Sequence, residues 1–382
     1  MDKSTERPRI QSLAEQRPAT ARSPLQLVTN ELLFGGVADQ VPAEWRDALS
    51  VLMTGERTEI AWAGEVRRSG LQHLRHWASA QGAGSDALLF APWQGWSPAD
   101  LQSPAGAATS PRAQWMASYL FDCGADRPLH RPVIDLMLAS PHPAACAVDE
   151  DCGLPLPWLK TLNAMLEAAR SQDRERIVII TQQRAASAMA RRLLATGRTG
   201  SRTGCQLEVV AIEDALGHLM SGASGWDAVI VLPELRSIVL AILAEATGLA
   251  GPFPLLWHDR SLAMISAETL RPVRPHQPLD AALLVHSLAL AARNTGMAEL
   301  AHRLFAGWAR LRDSGVATPS RGSHAPYATT LSEAEFVARI PSVDRLQGRR
   351  LPLWQALPAC DGQKQGNNPP CAPVNLILVA SQ

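Results

Sequence analysis

The residues of this chain that could do chemistry are mainly carboxylates. An acidic run occupies Asp149–Asp151, and Glu213 follows a strand-like segment. Clustered carboxylates can hold a metal ion or serve as acid and base, and Arg127 and His218 could line a cleft with them. Acidic runs in loops are more often solvated, and a carboxylate at the start of a helix also favours the positive end of the helix dipole. The residues alone leave both a chemical and a structural interpretation open.

The cysteines do not form a recognisable site. They are scattered at positions 123, 146, 152, 205, 360 and 371, without a C-x-x-C pair. Disulfide frameworks and zinc sites show recurring spacings, so neither is predicted. We expect reduced thiols and a cytoplasmic protein.

Charge and hydropathy exclude several classes of protein. The 36 basic and 36 acidic residues balance, so nothing favours nucleic acid or an anionic membrane surface as a partner. No apolar run reaches the roughly 18–20 residues that cross a bilayer, and Ile238–Ala250 is short and interrupted by Glu245. The first residues lack the apolar core of a secretory signal. A chain of 382 residues is long enough for two domains or sub-domains.

Strands and helices alternate through the middle of the chain. Apolar runs predict the strands, and a 3.6-residue apolar spacing predicts the helices. The predicted strands are Ala144–Val148, Arg176–Thr181, Leu207–Ile212 and Ala228–Leu232. The predicted helices are Pro157–Arg170, Ala185–Thr196, Glu213–Met220 and Arg236–Ala246. This alternation is typical of an α/β fold with a largely parallel sheet.

The flanking regions continue the pattern less regularly. Before the central block we predict strands at Leu25–Val28, Ile60–Ala63 and Asp86–Ala91, helices at Pro42–Thr54 and Gly70–Ala80, and a loop at Pro92–Pro111. After it we predict helices at Leu279–Ala292 and Ala298–Ser314. From about Pro341 the composition indicates a low-complexity extension. Its final VNLILVAS either docks as an edge strand or binds a partner.

From about Leu25 to Ile340 this order of elements resembles the isocitrate/isopropylmalate dehydrogenase family, and the chain looks like a degenerate member. LEVVAIEDALGHL resembles a phrase whose aspartate reaches the metal of the neighbouring subunit, and Glu213 stands at that position. LPELRSIVLAILAEATG resembles a helix with two metal-binding aspartates, whose positions hold Ser237 and Ala241. Residues four apart share a helix face, so two carboxylates there can hold one Mg²⁺ or Mn²⁺. Serine and alanine cannot replace them.

Other family positions have also changed. Gln182 stands where the resemblance places a catalytic lysine, and glutamine does not exchange a proton near neutral pH. Of the substrate-binding arginines Arg127 is kept, whereas Asp149, followed by Glu150, reverses the charge at another. Arg236 would place positive charge beside the former metal site.

The cofactor loop of the family is also poorly matched. The corresponding stretch is ETLRPVRPHQPLDAALL, which is shorter and lacks the glycines. His276 and Gln277 are its weak candidates for cofactor binding, and a solvated loop is the alternative for His276.

The resemblance implies two interleaved α/β sub-domains around a mixed, largely parallel sheet with a central cleft. We expect residues 25–95 and 250–340 to form the first, nucleotide-side sub-domain, and residues 96–249 the second, which would carry the substrate and dimer contacts. Residues 1–24 are predicted to be a disordered tail, and residues 341–382 an extension.

The functional expectation is a pseudoenzyme with a binding, regulatory or structural role. It would have no bound cofactor, and it would form a homodimer or pair with an active relative. The alternative is an NAD(P)- and Mg²⁺- or Mn²⁺-dependent oxidoreductase, or another repurposed enzyme acting in the retained cleft. A third possibility is a scaffold whose C-terminal tail binds the partner.

Overall fold

A computed structural model describes segments of the chain between Gln26 and Leu378. The described residues are 26–27, 43–53, 61–62, 87–97, 113–122, 134–196, 205–249, 251–259, 262–270, 280–295, 297–320, 328–345, 354–357 and 376–378. The predicted helix at Gly70–Ala80 lies outside them. No helix among these residues is long and apolar enough to cross a membrane.

The strands follow the apolar runs of the sequence. Those of the first half are β1 (Gln26–Leu27), β2 (Ala61–Trp62), β3 (Ala87–Trp96), β4 (Trp115–Asp122), β5 (Ile134–Pro141), β6 (Cys146–Val148) and β7 (Pro155–Pro157). Those of the second half are β8 (Arg176–Thr181), β9 (Gln206–Ala211), β10 (Ala228–Val231), β11 (Phe253–Asp259), β12 (Leu262–Glu268), β13 (Val316–Ala317), β14 (Thr329–Thr330) and β15 (Leu376–Leu378).

Seven of the eight described α-helices lie close to where the sequence predicted them, and the last one was not predicted. They are α1 (Ala43–Leu52), α2 (Leu159–Arg170), α3 (Ala186–Ala195), α4 (Ile212–Met220), α5 (Arg236–Thr247), α6 (Ala281–Asn294), α7 (Ala298–Asp313) and α8 (Glu333–Arg339). Helix α5 ends at Gly248, whose φ of 69° is a left-handed conformation that glycine adopts without strain.

One large sheet of eleven strands organises the molecule, in the order β15-β9-β8-β10-β5-β4-β11-β12-β3-β1-β2. The first five strands are mutually parallel, and so are the last four. Strands β4 and β11 pair antiparallel with their neighbours and with each other. The two parallel blocks therefore run in opposite directions, and their carboxyl ends lie at opposite edges of the sheet.

Helices cover both faces of this sheet because each central strand is apolar on both sides. Alternate residues of β8 belong to separate cores, with Ile177 and Ile179 on one face and Val178 and Ile180 on the other. The first core includes residues of α1, α2, α3, α6, α7 and α8, and the second includes residues of α4 and α5. The mixed, largely parallel α/β fold predicted from the sequence is confirmed.

Several local predictions were wrong. The loop expected from Pro92 begins later, since β3 continues to Trp96. The strand expected at Ala144–Val148 begins only at Cys146, after a 3-10 turn. The helix expected from Pro157 begins at Leu159, because residues 155–157 pair with β6 in a hairpin.

The C-terminal extension is not wholly a linker. Residues 354–357, which we call the C-terminal clip, pack into the core, and Trp354 lies 5.4 Å from Phe121 and 5.0 Å from His286 between ring centroids. The backbone N–H of Gln355 donates to Asp135 at 2.7 Å, and the Gln355 side chain accepts from Arg174 at 3.1 Å. The clip therefore contacts the protein at the amino ends of β5 and β8.

The last described segment joins the sheet edge. Leu376–Leu378 pair in parallel with Leu207–Val209 of β9. Of the two interpretations of VNLILVAS, the structure shows docking on its own chain.

Candidate functional site

Three predicted site positions lie at one edge of the sheet. Gln182 directly follows β8, Glu213 is in the first turn of α4 after β9, and Ser237 is in the first turn of α5 after β10. Strands β9, β8 and β10 are adjacent and parallel, so their carboxyl ends share this edge. Ligand sites of open α/β sheets form at such an edge, and we take it as the candidate site.

The side of α5 that would hold a metal carries no carboxylate at either aligned position. Ser237 is half-buried and Ala241 is exposed, and Ile238 beside them is 50% exposed. Glu213 is exposed on the neighbouring helix α4. Among the described residues, no group of three or more His, Cys, Asp or Glu side chains could hold a metal ion.

The sequence suggested that Arg236 would place positive charge beside this helix face. In the structure its charge is buried elsewhere. Its side chain is buried and forms two hydrogen bonds with Glu268, of 2.9 and 2.8 Å. Its Nη2 also donates to the hydroxyl of Ser118 at 2.8 Å, and that hydroxyl donates to Glu268. Nη1 donates to the carbonyl of Leu138 at 3.2 Å. The guanidinium is therefore neutralised inside the protein, where it joins α5 to β4, β5 and β12.

The acidic run lies in the turn of the β6–β7 hairpin. Asp149 pairs with Arg192 of α3 at 3.0 Å and accepts from the backbone N–H groups of Asp151 and Cys152. The hydrogen bond from Arg192 is the main reason why the pKa of Asp149 lies below its usual value. Asp151 pairs with the exposed Arg191, and Glu150 is exposed. Asp149 therefore makes its contacts within its own fold, which agrees better with the structural interpretation of the acidic run than with the chemical one.

Gln182 has an arginine neighbour. Its Oε1 accepts from Nε of Arg184 at 3.3 Å, within the turn that leads into α3. The amide therefore contributes to a local turn contact at the site edge.

Glu234 is a residue of this sheet edge that the sequence analysis did not single out. It follows β10 in a short 3-10 turn, and its carboxyl is half-buried. Burial raises its pKa, although the nearby charge of Arg184 opposes the shift. The carboxyl also lies near Cys146, whose pKa is raised to about 12, mainly by burial and further by the charge of Glu234. The signal in the sequence that could have identified Glu234 is its position, next to Pro233 and directly after the buried strand β10.

The remaining candidates do not join this group. His218 stacks on Trp226 with ring centroids 5.0 Å apart, and Trp226 lies next to the amino end of β10. It is therefore at the other edge of the sheet. Arg127, His276 and Gln277 lie outside the described residues.

Two solved structures are similar to this chain in fold. The TT0538 protein from Thermus thermophilus aligns with a TM-score of 0.58 and 14% identity, over 89% of this chain and 72% of that chain. The isocitrate dehydrogenase from Methylococcus capsulatus aligns with a TM-score of 0.55 and 11% identity, over 84% of this chain and 99% of that chain. No protein-family model and no curated protein matches the sequence. At these identities the likeness shows the fold alone, which is that of isocitrate dehydrogenase.

Proposed function

We propose that this protein is a non-catalytic relative of the isocitrate/isopropylmalate dehydrogenases that works by binding, as a homodimer or paired with an active relative. The observation that carries the proposal is the outer side of α5. It presents Ser237, Ile238 and Ala241 where the resemblance implies a pair of aspartates. A cytoplasmic location and the absence of a bound cofactor belong to the same proposal, and so does the division into two sub-domains.

The chemical part of the proposal follows from the missing oxygen ligands. Mg²⁺ and Mn²⁺ require carboxylate or carbonyl oxygens, and Ala241 has no side-chain oxygen. A catalytic metal supplies several kcal/mol of transition-state stabilisation, and a proton-transfer group adds about 10²–10⁴-fold in rate. With Gln182 in place of lysine both contributions are absent, and the losses multiply. Oxidative decarboxylation should fall below detection.

The binding part of the proposal rests on an exposed apolar surface formed by α4 and α5. Leu216 is 40%, Met220 70% and Ile238 50% exposed. Not every apolar residue of α5 is available, since Val239 and Leu243 are buried in the protein's own core. The three exposed side chains lie on two helices over the same face of the sheet, and exposed apolar side chains are a usual mark of a protein interface. We assign this surface to the dimer contact.

Light scattering after size-exclusion chromatography tests the dimer. At micromolar concentration we expect the mass of two chains for the wild type and of one chain for the double variant Met220→Glu/Ile238→Glu. A matched control is Leu194→Glu, because Leu194 is equally exposed but lies on α3, over the opposite face of the sheet. A monomeric wild type without a partner contradicts the homodimer, and dissociation by Leu194→Glu contradicts the assigned surface.

Glu234 supports the second candidate, a repurposed enzyme in the retained cleft. A half-buried carboxyl with a raised pKa at a sheet edge is a typical acid–base candidate. Calorimetric titration with Mg²⁺, Mn²⁺, NAD and NADP separates the two proposals. Binding that Glu234→Gln weakens would favour the enzyme, and no binding of any of the four removes the dehydrogenase alternative.

A further inference from the structure

A cleft of about 190 Å³ lies at the edge of the sheet opposite the candidate site. It is formed by the amino ends of β8 and β9, the last turn of α4 and the connection that leads into β10. At about 30 Å³ for each water molecule, this volume equals about six waters, which is enough for one small organic molecule. The side chains that matter here are Arg176, Gln206, Glu208, His218, Ser224 and Trp226.

Two side chains of opposite charge enter the cleft from adjacent strands. Val178 of β8 and Val210 of β9 belong to the second core. Because side chains alternate between the two faces of a sheet, Arg176 and Glu208 project on that same side, and both line the cleft. The strand register pairs Glu208 with Val178, so Arg176 and Glu208 are diagonal neighbours. Ordinary strand spacing separates their Cα atoms by about 8 Å.

Both charged groups keep most of their capacity for hydrogen bonds. The guanidinium of Arg176 donates once among the described residues, to the carbonyl of Gly225 at 3.3 Å, and a guanidinium has five N–H donors in all. Gly225 permits this close approach, since a Cβ there would lie 2.9 Å from Nη1. The carboxylate of Glu208 has no hydrogen bond or ion pair with any residue that the structure describes. A ligand can therefore use both groups without displacing an existing partner.

Aromatic rings form the wall beside these charges. His218 stacks on Trp226 with ring centroids 5.0 Å apart, and Trp226 packs against the second core. The backbone N–H of Trp226 donates to the carbonyl of Ala223 at 2.9 Å, which holds the connection into β10. The wall is therefore in place before a ligand binds, so little conformational entropy is lost on binding.

We propose that this cleft binds a small α-amino acid as its zwitterion. The carboxylate accepts hydrogen bonds from Arg176, the ammonium group donates to Glu208, and the ligand's side chain lies against the stacked rings. A ligand with a single charge would engage only one of the two protein charges, whereas a zwitterion forms charge-assisted hydrogen bonds with both. The cleft is smaller than the 300–1,000 Å³ of typical drug-sized pockets, which limits the ligand to a short side chain.

L-alanine is a suitable probe, and propionate and ethylamine carry its two charges separately. Binding of each to the full chain is measured by calorimetry and ligand-observed NMR. We expect saturable binding of L-alanine, and binding about tenfold or more weaker for propionate and for ethylamine, because each of these forms only one charged contact. Propionate that binds as tightly as L-alanine would indicate a simple anion site and overturn the proposal.

Two variants test the position of the ligand. Arg176→Gln and Glu208→Gln should each weaken L-alanine binding by about tenfold or more, and only Arg176→Gln should weaken propionate binding. The matched controls are Arg191→Gln and Glu175→Gln, whose side chains are exposed but do not line the cleft. The absence of saturable L-alanine binding to the wild type would overturn the proposal, as would equal losses in a variant and its control. The cleft and the candidate site lie at opposite edges of the sheet, so the outcome is independent of the proposed function.

Discussion

Removing Glu268 should destabilise the protein far more than its position in an ordinary strand suggests. Its carboxylate is buried with Arg236, whose side chain is 2% exposed, and the pair shares the hydroxyl of Ser118. Breaking a buried ion pair by removing one partner costs about 3–5 kcal/mol, because the other charge is left buried and uncompensated. Exposed pairs such as Arg191–Asp151 contribute far less.

The expected change in melting temperature can be worked out from chain length. An unfolding entropy of about 2.1 cal/mol/K per residue amounts to roughly 0.8 kcal/mol/K for 382 residues. A loss of about 3–5 kcal/mol therefore lowers Tm by about 4–6 °C in Glu268→Leu or Arg236→Met. The double variant should lose much less than the sum, since neither charge remains without its partner.

Thermal unfolding followed by circular dichroism measures all four members of this cycle. Arg191→Gln serves as the control for a surface arginine and should leave Tm unchanged. Single variants that melt within about 1 °C of the wild type would refute the argument, since that shift corresponds to less than about 1 kcal/mol. Strictly additive losses would show that the two charges do not interact.

Two further perturbations test the clip and the half-buried thiol of Cys146. Trp354→Ala should destabilise the protein by about 3–5 kcal/mol in urea unfolding, because Trp354 is 3% exposed and fills the first core; an unchanged midpoint would contradict the packing of the clip. Cys146 has a pKa of about 12 in the folded protein against an ordinary value of 9.0, so only the unfolded chain loses the proton between these values. Stability should therefore fall as pH rises from about 9 to 12, by at most about 1.4 kcal/mol per pH unit, and Cys146→Ala should reduce this slope; parallel pH profiles would refute the shift.

The sequence predicted strands β8, β9 and β10 well because each of them carries a local signal. RIVIIT and AVIV are β-branched runs, and each leads into a helix with a clear apolar face. Strands β4, β5, β11 and β12 were not predicted, although they hold the two parallel blocks together. Their segments are apolar on both faces and lack a distinctive period, so only pairing with distant strands decides their structure.

The sequence named Gln182, Glu213 and Ser237 as candidate positions, and the strand order places all three at one edge of the sheet. The partner of Asp149 and the burial of Glu234 could not be read from the sequence, because both depend on packing between separate elements. The clip was not predicted because a segment of four residues shows no periodicity. Its contacts with Asp135 and Arg174 also join parts of the chain that are far apart in the sequence.

The placement of β3 beside β12 has a consequence for how the protein folds during synthesis. Ala87 pairs with Leu262, so β3 gains this neighbour only after the whole intervening part of the chain has emerged from the ribosome. Pairings between distant segments form slowly, because a long loop must close before any contact compensates for the lost entropy. Until then Leu88 and Phe90, which are buried in the finished sheet, stay accessible. The nascent chain should therefore depend on chaperones most strongly in this interval, well before translation ends.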